Sequence, residues 1–337
     1  MLLAIRETGS IGRAAERLGL SYRYLWGCLK KQEAVFEEVL LHSAAGKSAR
    51  LSEFGERLLW AEQRIVARQL PTAAALAASI DNELLLALHP ELQRVTIVAS
   101  YDPLFAALRE GSRRQAGILL DLDYLNSVAV LERLNNGLCL IAGLHLPVAA
   151  DYLCRRDSII HSQFGSQLRL SDHKLIRFAS RQQGLMLAPG NPLGISAIAE
   201  LAQSGLRFVN RQPGSGTRVL FDALLHHHGL PPQQIPGYDS AESTHLAVAA
   251  TIAAGYADCG FGLQSAAEKF KLDFLPLLGE SYFLVCRGPQ LESATVQALI
   301  ALLRGREFRK AAAALPGYAA DSAGEIISLR RMLPWYK

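Results

Sequence analysis

Apolar positions recur at helical spacing through roughly the first seventy residues and then give way to short apolar runs separated by helical stretches. Met1–Glu7 carries one helical pattern, stopped by Thr8-Gly9. Ser10 then caps a second helix, Ile11–Leu18, with Ile11, Ala14, Ala15 and Leu18 on one face. Gly19 supplies a left-handed turn, and Ser21 caps a third helix reaching about Gln32, with Leu25, Trp26 and Leu29 inward. Two short helices joined by a tight glycine turn make a helix-turn-helix, and the adjacent alanines let the helices approach closely. Val39–His42 and Ala49–Leu51 can pair as a wing around Ala45-Gly46-Lys47-Ser48. A helix over Glu53–Ala67 follows, with Phe54, Leu58, Leu59, Ala61 and Ile65 as its stripe.

The third helix is expected to enter the major groove by its N-terminal end. Tyr22, Arg23, Gly27 and Lys30 remain on its outer face once the inward residues are assigned, and Ser10, Arg13, Ser21, Lys47 and Arg50 suit phosphate contacts. Charge placement agrees with this. The net charge is +4, and residues 1–70 hold 11 Lys and Arg against 8 Glu and no Asp. A basic first segment on a near-neutral body fits nucleic-acid contact.

From Val95 the pattern becomes βαβ: Val95–Ser100, Ile118–Leu122 and Cys139–Ala142 read as buried strands, with helices near Pro103–Arg109 and Tyr124–Asn135. Such alternation predicts a parallel sheet covered by helices, with ligands at the C-terminal strand ends, where Ser100-Tyr101-Asp102 and Gly143-Leu144-His145 are expected. A second αβ series has a helix at about Ser196–Gln203 and a strand at Arg207–Asn210. The turn Arg211-Gln212-Pro213-Gly214-Ser215-Gly216-Thr217-Arg218 and a helix through His228 complete it. Glycines 214 and 216 expose backbone N–H groups, Ser215 and Thr217 add hydroxyls, and the helix start concentrates positive potential. Such a nest selects an oxyanion or a carboxylate, or it is an ordinary capped strand-to-helix turn. It is not a P-loop, for it lacks the Gly-Lys-Ser/Thr ending.

Half the residues are hydrophobic and a fifth are charged, as in an ordinary globular protein, and 337 residues exceed what one core usually supports. The five cysteines, Cys28, Cys139, Cys154, Cys259 and Cys286, are scattered and odd in number. They read as free thiols in a reducing compartment. Charges at Arg6 and Glu7 preclude an apolar signal-peptide core, and no run of about 18 apolar residues exists, so a cytoplasmic protein without a membrane span is expected. His226-His227-His228 reads as a solvated helix end, since three consecutive helical residues point in different directions. His161 and His173 lie in a polar segment without evident Cys or carboxylate partners, and Asp258–Gly262 reads as a strand end and turn lining the cleft, not as a catalytic cysteine. No Ser/His/Asp or paired-carboxylate arrangement assembles, so no enzyme, cofactor or metal is expected.

The run E-T-G-S-I-G-R-A-A-E-R-L-G-L-S-Y-R-Y-L-W followed by A-R-L-S-E-F-G-E-R-L-L resembles the winged helix of the molybdate-dependent ModE regulators and, more distantly, LysR-type regulators. That family usually has residues before the first helix, and this chain begins inside it. Its members dimerise beside the wing, which makes the helix after Glu53 and the Ala-rich stretch Thr72–Leu88 the candidate interface of a homodimer or higher homo-oligomer. The segments G-L-M-L-A-P-G-N-P-L-G, R-F-V-N-R-Q-P-G-S-G-T-R and T-H-L-A-V-A-A-T-I-A-A-G-Y-A-D-C-G-F-G resemble the periplasmic-binding-protein-like family. The resemblances imply an α+β winged helix-turn-helix over residues 1–68, a helical linker over 69–92, and an α/β type II binding-protein-like fold over 93–337. Lobe one would be 93–183 with 285–337 and lobe two 187–281, joined by crossings at Gly184–Ala188 and Tyr282–Cys286.

The cleft would then be lined by Ser100, Tyr101 and His145 from lobe one and by Ser215, Gly216, Thr217, Arg218 and Thr244 from lobe two, with Tyr282 at the hinge. Arg218 could equally brace the interlobe surface. The implied partners are double-stranded DNA and a small anionic effector, molybdate or tungstate first, in a ligand-responsive transcription regulator. The alternative is a molybdenum-cofactor pathway protein with a pterin-type or other small organic ligand in the same cleft.

Overall fold

The computed structural model describes residues 1–42, 48–125, 127–148 and 155–336. The chain divides into two compact units, Met1–Val66 and Ala67–Lys337.

In the first unit, α1 (Leu2–Thr8) ends at Gly9 with φ 63°, a left-handed closure open to glycine at little steric cost. Ser10 accepts from Arg13 N to start α2 (Ile11–Arg17), and Ser21 accepts from Tyr24 N to start α3 (Tyr22–Phe36). Ile5, Ile11, Ala14, Ala15, Leu25 and Leu29 close a small core with Leu40 and Leu41. Leu18 does not join the buried face expected for it. It is the C-cap of α2 and 40% exposed, because the helix ends before carrying it inward. Trp26 is only partly buried, and α3 runs a turn beyond Gln32. The wing is the antiparallel pair β1 (Leu41–His42) and β2 (Arg50–Leu51), shorter than expected, and its tip with Lys47 lies outside the described residues. At Gly55 an added Cβ would strike the carbonyl of Leu40, so only glycine permits this approach.

Helix α4 runs unbroken over Glu53–Leu88, 36 residues with Pro71 inside, where a break near Ala67 was expected. Proline removes one ladder hydrogen bond, and the Ala-rich stretch beyond it is a strong helix former that carries the helix on. Phe54 and Leu58 pack against the first unit's core instead of forming a free stripe with Ile65, and Ala61 is exposed.

The second unit continues with β3 (Gln93–Ala99), α5 (Leu104–Gly111), β4 (Ile118–Tyr124), α6 (Ser127–Asn135), β5 (Ile141–Val148), α7 (Ile159–Phe164) and β6 (His173–Leu187). Next come β7 (Phe208–Arg211), α8 (Gly216–His227), β8 (Ala241–Glu242), α9 (His245–Ala253), β9 (Cys259–Leu263), α10 (Gln264–Lys269) and β10 (Asp273–Arg287). Then α11 (Ala294–Arg304), α12 (Arg306–Ala313), β11 (Tyr318–Ala319), β12 (Ile326–Ile327) and α13 (Leu329–Met332) follow. The segment expected as a helix at 196–203 is a short 3-10 turn, Ile198–Ala202.

Among the described residues one sheet runs β4-β3-β5-β10-β6-β9-β7-β8. Its two central strands, β6 and β10, pair antiparallel from His173↔Arg287 to Leu187↔Asp273 and serve both lobes. Lobe-one strand β5 pairs Gly279–Val285 of β10, and lobe-two strand β9 pairs Gln183–Leu187 of β6. The chain therefore changes lobes near Arg181–Gln183 and returns near Leu278–Glu280. The return falls earlier than Tyr282–Cys286, which are fully buried within lobe one. At Gly184 an added Cβ would meet the Leu275 carbonyl, so the two crossings press together where no side chain fits. His145 lies within β5, not at its end, because that strand continues to Val148 along β10.

Lobe one is filled by Phe105, Phe178 and Tyr282, whose rings contact one another at 4.8 to 6.0 Å. In lobe two the small residues of α9, including Ala247, Ala249 and Ala250, are fully buried, so that helix packs on more than one side. Helix α4 holds to both lobes. Arg68 makes a two-pronged pair with Glu242 at 2.6 and 2.7 Å, and Ala67 O accepts from Thr244 Oγ1 at 2.9 Å. Further along, Asn82 Nδ2 donates to Leu120 O of β4 at 2.9 Å, and Asp81 lies 3.5 Å from Arg113.

Candidate functional site

On the first unit, Tyr22, Arg23, Gly27 and Lys30 are exposed along α3, as is Arg50 on β2. Tyr24, which the sequence pattern did not single out, is 60% exposed on the same helix. Lys30 lies 2.7 Å from Glu33 and over the Trp26 ring. Ser10 and Ser21 use their hydroxyl lone pairs as helix caps, and the Arg13 guanidinium donates to Thr8 O.

The second candidate site lies where β6 and β10 change lobes. Arg181 and Glu280 are register partners on these strands, and both are buried. The Arg181 guanidinium pairs with Glu280, donates to Asp102 at 2.8 Å and donates to His145 Nδ1 at 2.7 Å. Asp102 also accepts from Tyr318 Oη at 2.9 Å and from Leu104 N at 2.9 Å. Burial alone would lower the pKa of Arg181, but Glu280, Tyr318 and Asp102 hold it well above its usual value. Burial would raise Glu280, and Arg181 and His145 overcome it, leaving the carboxyl far below the ordinary range. His145 is kept neutral by burial and by Arg181, which matches its role as an acceptor.

The lobe-two wall begins at α8. Ser215 caps the helix by accepting from Arg218 N at 3.2 Å, and Thr217 Oγ1 lies 3.3 Å from His245 Nε2. His245, the first residue of α9, has its pKa driven well down by burial and then by Arg211 and Arg181. Arg211, at the end of β7, is lowered to about 10, first by burial and then by repulsion from Arg181. Its Nη1 donates to the Glu242 carbonyl at 3.2 Å.

The expected cleft residues divide accordingly. His145 and Thr217 enter this cluster, and Ser215 and Gly216 form the turn beside it. Tyr282 stacks on His145 at 3.8 Å and uses its hydroxyl on Ser100 O, so it is a wall and not a free donor. Tyr101 packs edge-on against Tyr124. Arg218 braces lobe two, with Asp222 at 3.1 Å and the Tyr238 ring at 3.8 Å. Thr244 caps α9 and faces α4. The sequence pattern did not reveal Arg181, Gln183, Arg211, His245 and Glu280 as site residues. A signal existed in the polar run Ser180-Arg181-Gln182-Gln183 set inside an otherwise apolar strand. His173, read as having no Cys or carboxylate partner, is buried, with its ring nitrogens 3.1 Å from Asn135 Oδ1 and 3.2 Å from Arg169 N.

The chain thus joins a helix-turn-helix unit to a two-lobed α/β body with a charged, buried cluster between its lobes, and each part matches a known family. Residues 1–56 match the helix-turn-helix of bacterial regulatory proteins of the lysR family, and residues 108–304 match the PBP superfamily domain. The chain belongs to the PBP superfamily through its body and carries a LysR-type helix-turn-helix. It is 34% identical over 155 residues, 45% of its length, to the uncharacterized protein YvgK of Bacillus subtilis, of which it spans about half, 49%. Over 63 residues, 18% of this chain and 24% of the relative, it is 35% identical to the transcriptional regulator ModE of Yersinia pestis. Among solved structures it is similar to a cysteine-substituted OxyR of Corynebacterium glutamicum, hydrogen peroxide bound, at 14% identity. That match has a TM-score of 0.49 and covers 93% of this chain and 92% of the other.

Proposed function

We propose that this protein works in the cytoplasm as a homodimeric transcription regulator whose winged helix reads duplex DNA and whose interlobe cleft senses a small oxyanion. Molybdate and tungstate head the candidates, as the winged-helix resemblance implies. The observation that carries the effector reading is the start of α8. There Ser215 and Thr217 bring a helix N-terminus, with its positive potential, beside His245 and the buried arginines. Arg23, Lys30 and Arg50 supply the DNA face, with Tyr22 and Tyr24 beside them, and Ser10 and Ser21 fix the helices that present it. Apolar residues exposed on α4 at four-residue spacing, Leu76, Ile80, Leu84 and Leu88, supply a self-association face.

No helix among the described residues is long and apolar enough to cross a membrane. The deciding experiment measures binding of the full chain to its own upstream DNA with and without molybdate, tungstate, sulfate and phosphate. Coupling is reciprocal, so an anion that changes DNA affinity must itself bind with altered affinity when DNA is present. If no anion stabilises the protein and an organic or pterin ligand does, the second reading, a cofactor-pathway protein, takes its place.

A further inference from the structure

Four buried polar side-chain atoms around the lobe crossings have no hydrogen-bond partner among the described residues: Arg211 Nε, Gln183 Nε2, Gln183 Oε1 and His245 Nδ1. Native interiors satisfy nearly all such atoms, and a buried group left unmet is costly. These four are neighbours. His245 feels the charges of Arg211, Arg181 and Glu280, and Gln183 approaches Glu280. Gln183 also pairs in register with Leu263, next to Gly262, whose missing Cβ would lie 3.1 Å from His245 Nδ1.

Arg181 has engaged the local carboxylates, taking both Glu280 and Asp102. The Glu242 carboxylate is occupied by Arg68 and by Thr251 Oγ1 at 2.9 Å, leaving Arg211 only the Glu242 backbone carbonyl. Arg211 is thus a buried cation without a carboxylate of its own. If Thr217 donates to Nε2, the hydrogen of the neutral His245 ring falls on Nδ1, which then donates.

We infer that Arg211, Gln183 and His245 form the recognition set for the effector, Arg211 meeting the charge of a small oxyanion while the Gln183 amide and His245 Nδ1 hold its oxygens. This rests on the proposed oxyanion reading and assigns it side chains beyond the 215–217 turn. A site of this kind is kept at the expense of stability in the ligand-free protein, so its removal should stabilise. A residue whose role is purely structural would do the reverse.

The test is thermal unfolding of the full chain as wild type, Arg211→Met, Arg211→Lys and Gln183→Met. Each is measured alone and in millimolar molybdate, tungstate, sulfate or phosphate, with titration calorimetry for the anion that stabilises wild type most. Without anion, Arg211→Met and Gln183→Met should melt above wild type. With anion they should lose the stabilising shift, affinity falling by about tenfold or more, and Arg211→Lys should keep part of it. If either Met variant melts lower without anion, or binds the anion as wild type does, the recognition set is overturned and the oxyanion reading stands. If wild type responds to no oxyanion, that reading fails as well, whatever the variants do.

Discussion

Acidification should destabilise the second unit well before its carboxylates titrate, and His145 and His245 set the size of the effect. Both rings are buried and neutral, with pKa values held below the ordinary 6.5. His145 faces Arg181, Glu280 and Asp102, and His245 faces Arg211, Arg181, Glu280 and His145. In the unfolded chain each takes a proton near its ordinary value, and in the folded chain each refuses it. The unfolded state therefore binds more protons below that value, and stability present above it is lost as pH falls. The slope can reach at most about 1.4 kcal/mol per pH unit for each histidine, which bounds the loss for the pair between pH 6 and pH 5 at about 3 kcal/mol. Glu280 does not blur this window, because its depressed pKa delays its own loss to much lower pH. Urea unfolding of the full chain followed by circular dichroism at several values between pH 7.5 and 5 measures the slope. The double variant His145→Gln/His245→Gln should lose most of that slope, the remainder coming from His173, whose pKa burial also lowers. A wild-type midpoint independent of pH, or a slope unchanged in the double variant, would refute the reasoning.

Three further outcomes are expected. Arg23→Ala should weaken binding to cognate DNA by roughly 1–3 kcal/mol if it reads a base, while the protein's melting temperature stays put; unchanged affinity in a gel-shift titration would reject its assignment. Replacing Leu76, Ile80 and Leu84 together with glutamine should shift sedimentation from dimer to monomer, and a monomeric wild type at micromolar concentration would dismiss the α4 face as an interface. Thr217→Val removes the hydroxyl that, by holding His245 Nε2, turns the Nδ1 hydrogen toward the anion, and it should reduce anion affinity by about tenfold, whereas the exposed His227→Ala should change little.

The local chemistry of the chain was readable in the sequence, and its long-range pairing was not. Ser10, Ser21 and Ser215 announce their helices because a cap acts within three residues, and all three accept the N–H expected of a cap. Strands β3, β4 and β7 were found too, since buried parallel strands read as apolar runs, but the long antiparallel pair β6 and β10 at the centre of the sheet was not read as strands. The cleft chemistry escaped because Arg181 and Glu280 meet only through the register of two strands nearly a hundred residues apart. Hydroxyls misled for a related reason. Thr244 and Tyr282 sit at plausible positions, but Ala67 O and Ser100 O, both remote in sequence, had already engaged them. The helix end expected near Ala67 failed for another reason, since Pro71 does not break the helix and the helix formers that follow carry it on to Leu88.

Because α4 holds to lobe two at Arg68 and to lobe one at Asn82, it acts as a strut bridging the jaws of the cleft. Those two points lie about 21 Å apart along a helix that neither stretches nor shortens. Jaw motion that preserves both attachments is therefore confined to a swing about the strut or a flexure at Pro71, the position between them without an N–H to hold the ladder. The Glu242 end is the more sensitive one, since its backbone carbonyl takes Arg211 while its carboxylate grips Arg68. Whatever tugs on Arg211 from inside the cleft thus pulls on the same residue that anchors the strut.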